Sequence, residues 1–281
     1  MSESVLKAAV LEAAREMVLP DGSGKVVLSL DDTKALAEKH GCPQRDVERI
    51  ALLEGVMPGR YMRNYSHMDC SEQLKLLDAH VLLVGLGGLG GHVLDLLVRM
   101  GVGTITGADG DCFAESNLNR QLLSREDSLD VPKPVCAARH VAAINSSTTF
   151  IGIHEYLSGD ALLAACHGKT VVIDALGGLK YRAELERAAA TAGVPLVSAV
   201  VAGLSGYVVA VFPGETGPAE MLGTGSAAED VLGTPSPVVA CAASMQCSEV
   251  MRIIIGRPRM HGVLFFDLAD RSFQNVLFED V

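Results

Sequence analysis

Residues 80–100 read HVLLVGLGGLGGHVLDLLVRM, and this stretch decides the fold. His80–Gly85 is a continuous apolar run of strand length, and Gly88–Met100 places Val93, Leu96 and Leu97 on one helical face. Between them lies Gly85-Leu86-Gly87-Gly88-Leu89-Gly90. Small residues here let the chain turn tightly and let backbone N–H groups at the positive helix end approach a phosphate. A second strand, Gly103–Ala108, runs into Asp109, 24 residues after Gly85. That is close to the roughly 20-residue spacing at which an acid takes ribose hydroxyls. Gly85, Gly87, Gly88, Gly90 and Asp109 are therefore candidate nucleotide-binding residues.

Outward from this unit, strands alternate with helices. Helix Pro132–Ile144, strand Thr148–Ile153, helix 159–166, strand Thr170–Asp174, helix 179–192 and strand Pro195–Val201 follow in order. The strands are continuous apolar runs, as expected when both faces are covered. This is an α/β chain with a Rossmann-like, doubly wound parallel sheet. From Tyr207–Phe212 onward the pattern changes. A loop rich in Gly, Pro, Ser and Thr spans about 213–236, then an apolar helix 237–255, then a hairpin-like pair 261–268 and 272–278. The sheet is expected to turn antiparallel there.

Residues 1–58 stand apart. Residues 3–17 read as a helix and Lys25–Leu30 as a short strand. Asp31 or Asp32 caps a helix from near Thr33, and Gly41-Cys42-Pro43 breaks it before a second helix reaching about Glu54. The two-helix pattern has a helix-turn-helix look, but residues 31–60 carry five Lys/Arg against six Asp/Glu, no footprint for DNA. It reads as a small helical extension.

Composition narrows the class. With 281 residues, 49% of them apolar, the chain can build a large core, and 4% aromatics without Trp make that core aliphatic. A net charge of −11 argues against a general nucleic-acid binder. Seven cysteines, with no CxxC pair, argue against a disulfide framework and a four-cysteine zinc site. The N-terminus has no basic stretch followed by a continuous apolar core, and Val197–Phe212 is too interrupted to cross a membrane. A cytoplasmic protein without membrane partners is expected.

The glycine loop alone admits a nicotinamide dehydrogenase or a nucleotidyl-transfer enzyme. The next segment separates them. Asp109-Gly110-Asp111 is followed by Asn117, Arg120, Gln121 and Lys133, with Arg60 and Arg63 upstream. A dehydrogenase needs no such cations here. A triphosphate does, because Arg offers a planar fork of donors and Lys a compact charge.

The ordered set RYMRN (60–64), VGLGGLG (84–90), DGDCFAESNLNRQ (109–121) and VPK (131–133) resembles the ThiF/MoeB/HesA family over about residues 59–281. These ubiquitin-activating-like enzymes adenylate the C-terminal glycine of small sulfur-carrier proteins. The resemblance implies an adenylyltransferase domain at 59–281, with 213–236 as a crossover loop guiding the carrier's tail. Asp109 would bind the ATP ribose. Arg120, Gln121 and Lys133 would hold the phosphates, with Asp111 beside them and Asn117 shaping their site. Arg63 would act as an arginine finger supplied across a homodimer. A ThiS- or MoaD-like carrier of thiamine or molybdopterin cofactor synthesis would be the partner.

Three departures qualify the resemblance. The family's acid-then-Asn pair after the fourth strand, where the acid organises Mg²⁺, falls on Gly177 and Gly178; Asp174 or Asp111 is the substitute ligand the sequence offers. The zinc-binding cysteine pairs have no counterpart in 212–222. The loop position where some relatives carry a reactive cysteine is Ala227, while Cys241 and Cys247 read as buried thiols. A non-catalytic nucleotide- and partner-binding relative is the alternative that Gly177 keeps open. An enzyme that adenylates a small-molecule or tRNA-linked carboxylate is the other.

Overall fold

The fold, taken from a computed structural model, is described for residues 3–19, 22–64, 67–178, 181–219, 228–259 and 261–277. The chain begins with α1 (Glu3–Ala13), β1 (Arg15–Val18), β2 (Gly24–Leu28), α2 (Leu30–His40), α3 (Gln44–Leu53) and β3 (Met57–Pro58). The three strands form a small sheet in the order β1-β2-β3, against which Leu6, Val10, Leu36, Val47 and Ala51 pack. The extension is thus mixed rather than helical. Its first helix ends at Ala13, not 17, because Arg15–Val18 pairs antiparallel with β2. The cap of α2 is Ser29, whose hydroxyl accepts from the Asp32 N–H; Asp31 and Asp32 lie in the first turn, where they favour the positive helix end.

A 3₁₀ turn at Gly59–Asn64 leads to α4 (Cys70–Asp78) and then to the second sheet. Its strands are β4 (His80–Val84), β5 (Thr104–Ala108), β6 (Thr149–Ile153), β7 (Val171–Asp174), β8 (Leu196–Ala202), β9 (Ser205–Val211), β10 (Val263–Asp267) and β11 (Ser272–Val276). The spatial order is β11-β10-β9-β8-β7-β4-β5-β6. Strands β4 to β8 are mutually parallel, and β9, β10 and β11 pair antiparallel, as the change of pattern after Val201 predicts.

Helices cover both faces. On one side are α5 (Gly88–Met100), α6 (Lys133–Ile144) and, after the short α9 (Ala228–Leu232), the long α10 (Ser236–Ile255). On the other are α7 (Gly159–Cys166) and α8 (Arg182–Ala192). By length and composition alone α10 could cross a membrane. Here it is a core helix: Val239, Ala242, Ala243 and Val250 are buried in the cluster that holds Val93, Leu97 and Val197. The segment 213–236, read as a loop throughout, contains α9; residues 220–227, with Ala227, lie outside the described residues.

The extension is fastened to α4 and the start of β5 by partly buried polar contacts. Arg45 donates to Leu77 O (2.6 Å), Gly103 O (3.1 Å) and Thr104 Oγ1 (2.8 Å). Glu48 on α3, buried, meets Arg60 at 3.1 Å. Burial pushes the Glu48 carboxyl up, and the Arg60 guanidinium works against that shift.

Candidate functional site

The sheet reverses its winding between β4 and β7: β5 and β6 extend it one way, β7 and β8 the other. At such a switch point the loops leaving the carboxyl ends of the strands part and make a crevice. A cavity of about 460 Å³ opens there, walled by Gly85, Asp109 and Leu176 from the ends of β4, β5 and β7. That is within the usual range for a small-molecule site, roughly 300–1,000 Å³.

The glycine loop forms its base. Gly85 has φ +97°, and a Cβ there would run into the Ala175 carbonyl. Gly90 lies behind the cavity wall, one turn into α5, and a Cβ on it would overlap the Gly85 carbonyl oxygen. Gly90→Ala is therefore expected to cost at least about 1–3 kcal/mol by overpacking against backbone. A thermal melt coinciding with wild type, together with unchanged nucleotide affinity, would show that helix and loop are not held this close.

Asp109 ties the loop to the next strand. Its Oδ2 accepts from the Leu86 N–H at 2.8 Å and its Oδ1 from the Asp111 N–H at 2.9 Å. Lys133 is the first residue of α6. Its side chain is buried, with Nζ 3.3 Å from Asp109 Oδ2 and 2.9 Å from Asp111 Oδ2. Tyr156 donates its hydroxyl to Asp111 Oδ1. Burial acts against the charge of Asp111, but the Tyr156 hydroxyl and the Lys133 ammonium outweigh it and hold the carboxyl below its ordinary value. The same hydrogen bond pushes the Tyr156 hydroxyl up to about 12.

Arg120 and Gln121 complete the polar wall, both lining the cavity. They follow the turn Glu115–Asn117, whose Asn117 side chain accepts from the Ala114 N–H at 3.0 Å. The Asn117 carbonyl accepts from the Arg120 and Gln121 N–H groups. Asn117 thus anchors the backbone of both residues without itself lining the cavity. Gln121 is buried against the glycine loop, and its Oε1 has no hydrogen-bond partner among the described residues. An apolar slot made by Leu157, Leu162, Leu176 and Leu185, with Tyr156 at its edge, forms the remaining wall. A slot of this kind suits a heterocyclic base.

Besides Gly90 and Asn117, two further candidates from the sequence do not line the cavity. Arg63 is exposed on the 3₁₀ turn at Gly59–Asn64 and does not line this chain's cavity. Asp174 is spent on structure: its Oδ2 accepts from Arg182 Nη1 (2.5 Å) and Ser198 Oγ (2.7 Å), its Oδ1 from the Leu176 N–H (3.0 Å). It is fully buried and no cavity residue, so it does not offer itself to a cation. Among the described residues, no three His, Cys, Asp or Glu side chains converge as a metal site. Cys112 is exposed, Cys241 half-buried and Cys247 buried, with burial raising the Cys247 thiol.

Sequence reasoning missed Tyr156 and Glu229, both of which line the cavity. Tyr156 follows the end of β6, and a search of the carboxyl ends of all parallel strands would have found it. Glu229 lies on α9, beyond any local motif.

Comparison with known proteins accords with this geometry. A model of the ThiF family matches residues 61–280. The sulfur carrier protein ThiS adenylyltransferase of Bacillus subtilis is 30% identical over 75% of this chain and 66% of its own length. Molybdopterin-synthase adenylyltransferase of Salmonella typhimurium is 29% identical over 74% of this chain and 86% of its own. The ThiS adenylyltransferase of Escherichia coli is 31% identical over 66% and 75%. Among solved structures, Escherichia coli MccB with ATP superimposes with a TM-score of 0.66 at 20% identity, covering 87% of this chain and 82% of MccB. At that identity the likeness speaks for the fold.

Proposed function

The chain belongs to the ThiF family, and we propose that its cavity binds ATP and adenylates the C-terminal carboxylate of a ThiS- or MoaD-like sulfur carrier. The observation that carries this reading is the joining, in one cavity, of the glycine loop, the strand-end acid Asp109 and the cations Arg120 and Lys133.

The chemistry follows from the charges. A carboxylate oxygen of the carrier's last residue attacks the α-phosphorus, and the bond from that phosphorus to the bridging oxygen breaks. Pyrophosphate leaves, and an acyl adenylate remains. Two anions must be brought together, so positioning and charge neutralisation supply most of the catalysis. Asp109 accepts from the ribose hydroxyls. N–H groups of the glycine loop meet the phosphates at the start of α5. Arg120 and Lys133 face the charge that grows on the leaving group, each fixed donor contributing roughly 3 kcal/mol. Gln121 contributes a neutral amide to the same wall. Arg63 reaches the phosphates of a neighbouring copy in a homodimer, since it stands outside its own cavity. Mg²⁺, when bound, neutralises phosphate charge; Asp111 borders the phosphate side but has both oxygens engaged by Lys133 and Tyr156. The chain has no CxxC pair with which to hold a four-cysteine zinc. On this reading the reaction belongs to the cytoplasm.

The test is ATP–pyrophosphate exchange. Exchange is expected only with a carrier that ends in an exposed Gly carboxylate, and is lost when that terminus is amidated. Binding of ATP with no exchange for any carrier would replace this reading with a nucleotide-binding partner protein. Exchange driven by a small carboxylate instead would replace the carrier.

A further inference from the structure

The loop after β7 presents backbone to the cavity where a side chain would otherwise stand. Gly177 lines the cavity, and a Cβ built on it would meet one neighbour within 4 Å: Glu229 Oε1, at 3.5 Å. That oxygen accepts the Gly178 N–H at 2.7 Å. Glu229 lies 52 residues downstream, half-buried on α9, and lines the same cavity. The crossover segment thus carries a carboxylate to the space that Gly177 leaves open.

Resting on the adenylation reading above, we propose that Glu229 is the carboxylate that holds the divalent cation accompanying the ATP phosphates.

The other carboxylates near the phosphate side are committed. Asp109 and Asp111 hold Lys133, and Asp174 holds Arg182. Glu229 has one oxygen bonded to Gly178 and the other bonded to nothing among the described residues. Glu155 also borders the cavity, but it follows β6, two strands from the glycine loop on the side away from β7. Oε1 of buried Gln121, without a partner among the described residues, supplies an independent sign that a donor belongs here. It lies against Gly87 in the glycine loop. Mg²⁺ suits such sparse provision, since it keeps several waters and takes one or two carboxylates plus phosphate oxygens.

Charge supplies a further reason. A carboxylate facing a polyphosphate across one cavity repels it unless a cation stands between them. Glu229 should therefore weaken nucleotide binding when no metal is present and strengthen it when metal is present. A carboxylate that only braced the Gly178 N–H would repel the nucleotide alike but would not strengthen its binding when metal is present.

The experiment measures Mn²⁺ binding by the loss of its free-ion paramagnetic resonance signal, at saturating α,β-methylene-ATP. Calorimetry of the analogue with and without metal accompanies it. The E229Q protein is expected to bind the metal-free analogue at least as tightly as wild type, which also shows that it is folded. Its Mn²⁺ affinity should fall by about 10–100-fold. The E229Q/G177D protein should recover most of that loss, since an Asp at 177 finds open space towards residue 229. Mn²⁺ affinity of E229Q within twofold of wild type overturns the proposal and leaves the adenylation reading standing. No binding of the analogue by wild type, with or without metal, removes both.

Discussion

Replacing Lys133 by Ala is expected to slow carrier-dependent ATP–pyrophosphate exchange by about 10²–10³-fold, the loss seen when one fixed donor to developing charge is removed. Two effects combine. The leaving pyrophosphate loses an ammonium that is already desolvated and therefore acts at low local dielectric. Asp109 and Asp111, each now bonded to Lys133 Nζ, would face the incoming polyanion with no cation between them. ATP affinity should fall together with the exchange rate. Lys133→Arg should rescue little, because a planar fork does not fit where a compact ammonium sits between two carboxylates. Exchange within threefold of wild type in a folded Lys133→Ala protein would remove Lys133 from the phosphate site. The same variant tests Arg63. If Arg63 serves the neighbouring copy, mixing inactive Lys133→Ala with inactive Arg63→Ala protein should regenerate hybrid dimers with one intact site. Activity that never returns on mixing would place Arg63 elsewhere.

The parts of this molecule that can be read from sequence are those set by local pattern. His80–Val84 is a buried strand because an unbroken apolar run can only be covered on both faces, and Gly85 and Gly90 must follow because only glycine fits against the Ala175 and Gly85 carbonyls. Asp109 and Lys133 are legible for the same reason: each stands at the end of one element. The strand Arg15–Val18 is not legible, since all four residues are exposed and only pairing with Gly24–Leu28 makes them a strand. Ser29 outcompetes Asp31 and Asp32 as a cap because the strand before it ends at Leu28 and fixes where the helix starts. Asp174 misleads in an instructive way. It ends an apolar strand just as the Asp109 segment does, yet Arg182, one turn of chain and eight residues away, claims it. Glu229 leaves no local trace at all, because its meaning lies in a glycine 52 residues earlier.

Asp174→Ala is expected to cost about 3–5 kcal/mol, the usual penalty for stranding a buried charge. Arg182 is buried, and its guanidinium makes the fork that organises this corner of the sheet. One arm bonds Asp174 and Ser198, and the others bond the Leu176 and Gly178 carbonyls. Without the carboxylate that cation loses its one ion pair among the described residues. For a chain of this size the melting temperature should drop by roughly 10 °C. Asp174→Ala/Arg182→Leu should recover much of the stability, since removing both charges also removes the desolvation penalty. The double variant isolates a second role. Its loop 175–178 lacks the bonds from Arg182 to the Leu176 and Gly178 carbonyls, so the Gly178 N–H that donates to Glu229 loses its fixed position. A stable double variant with weakened Mn²⁺ affinity in the nucleotide complex would show that the buried pair serves the site through that loop. A melting temperature within about 2 °C of wild type for Asp174→Ala would show instead that the pair is not buried as described.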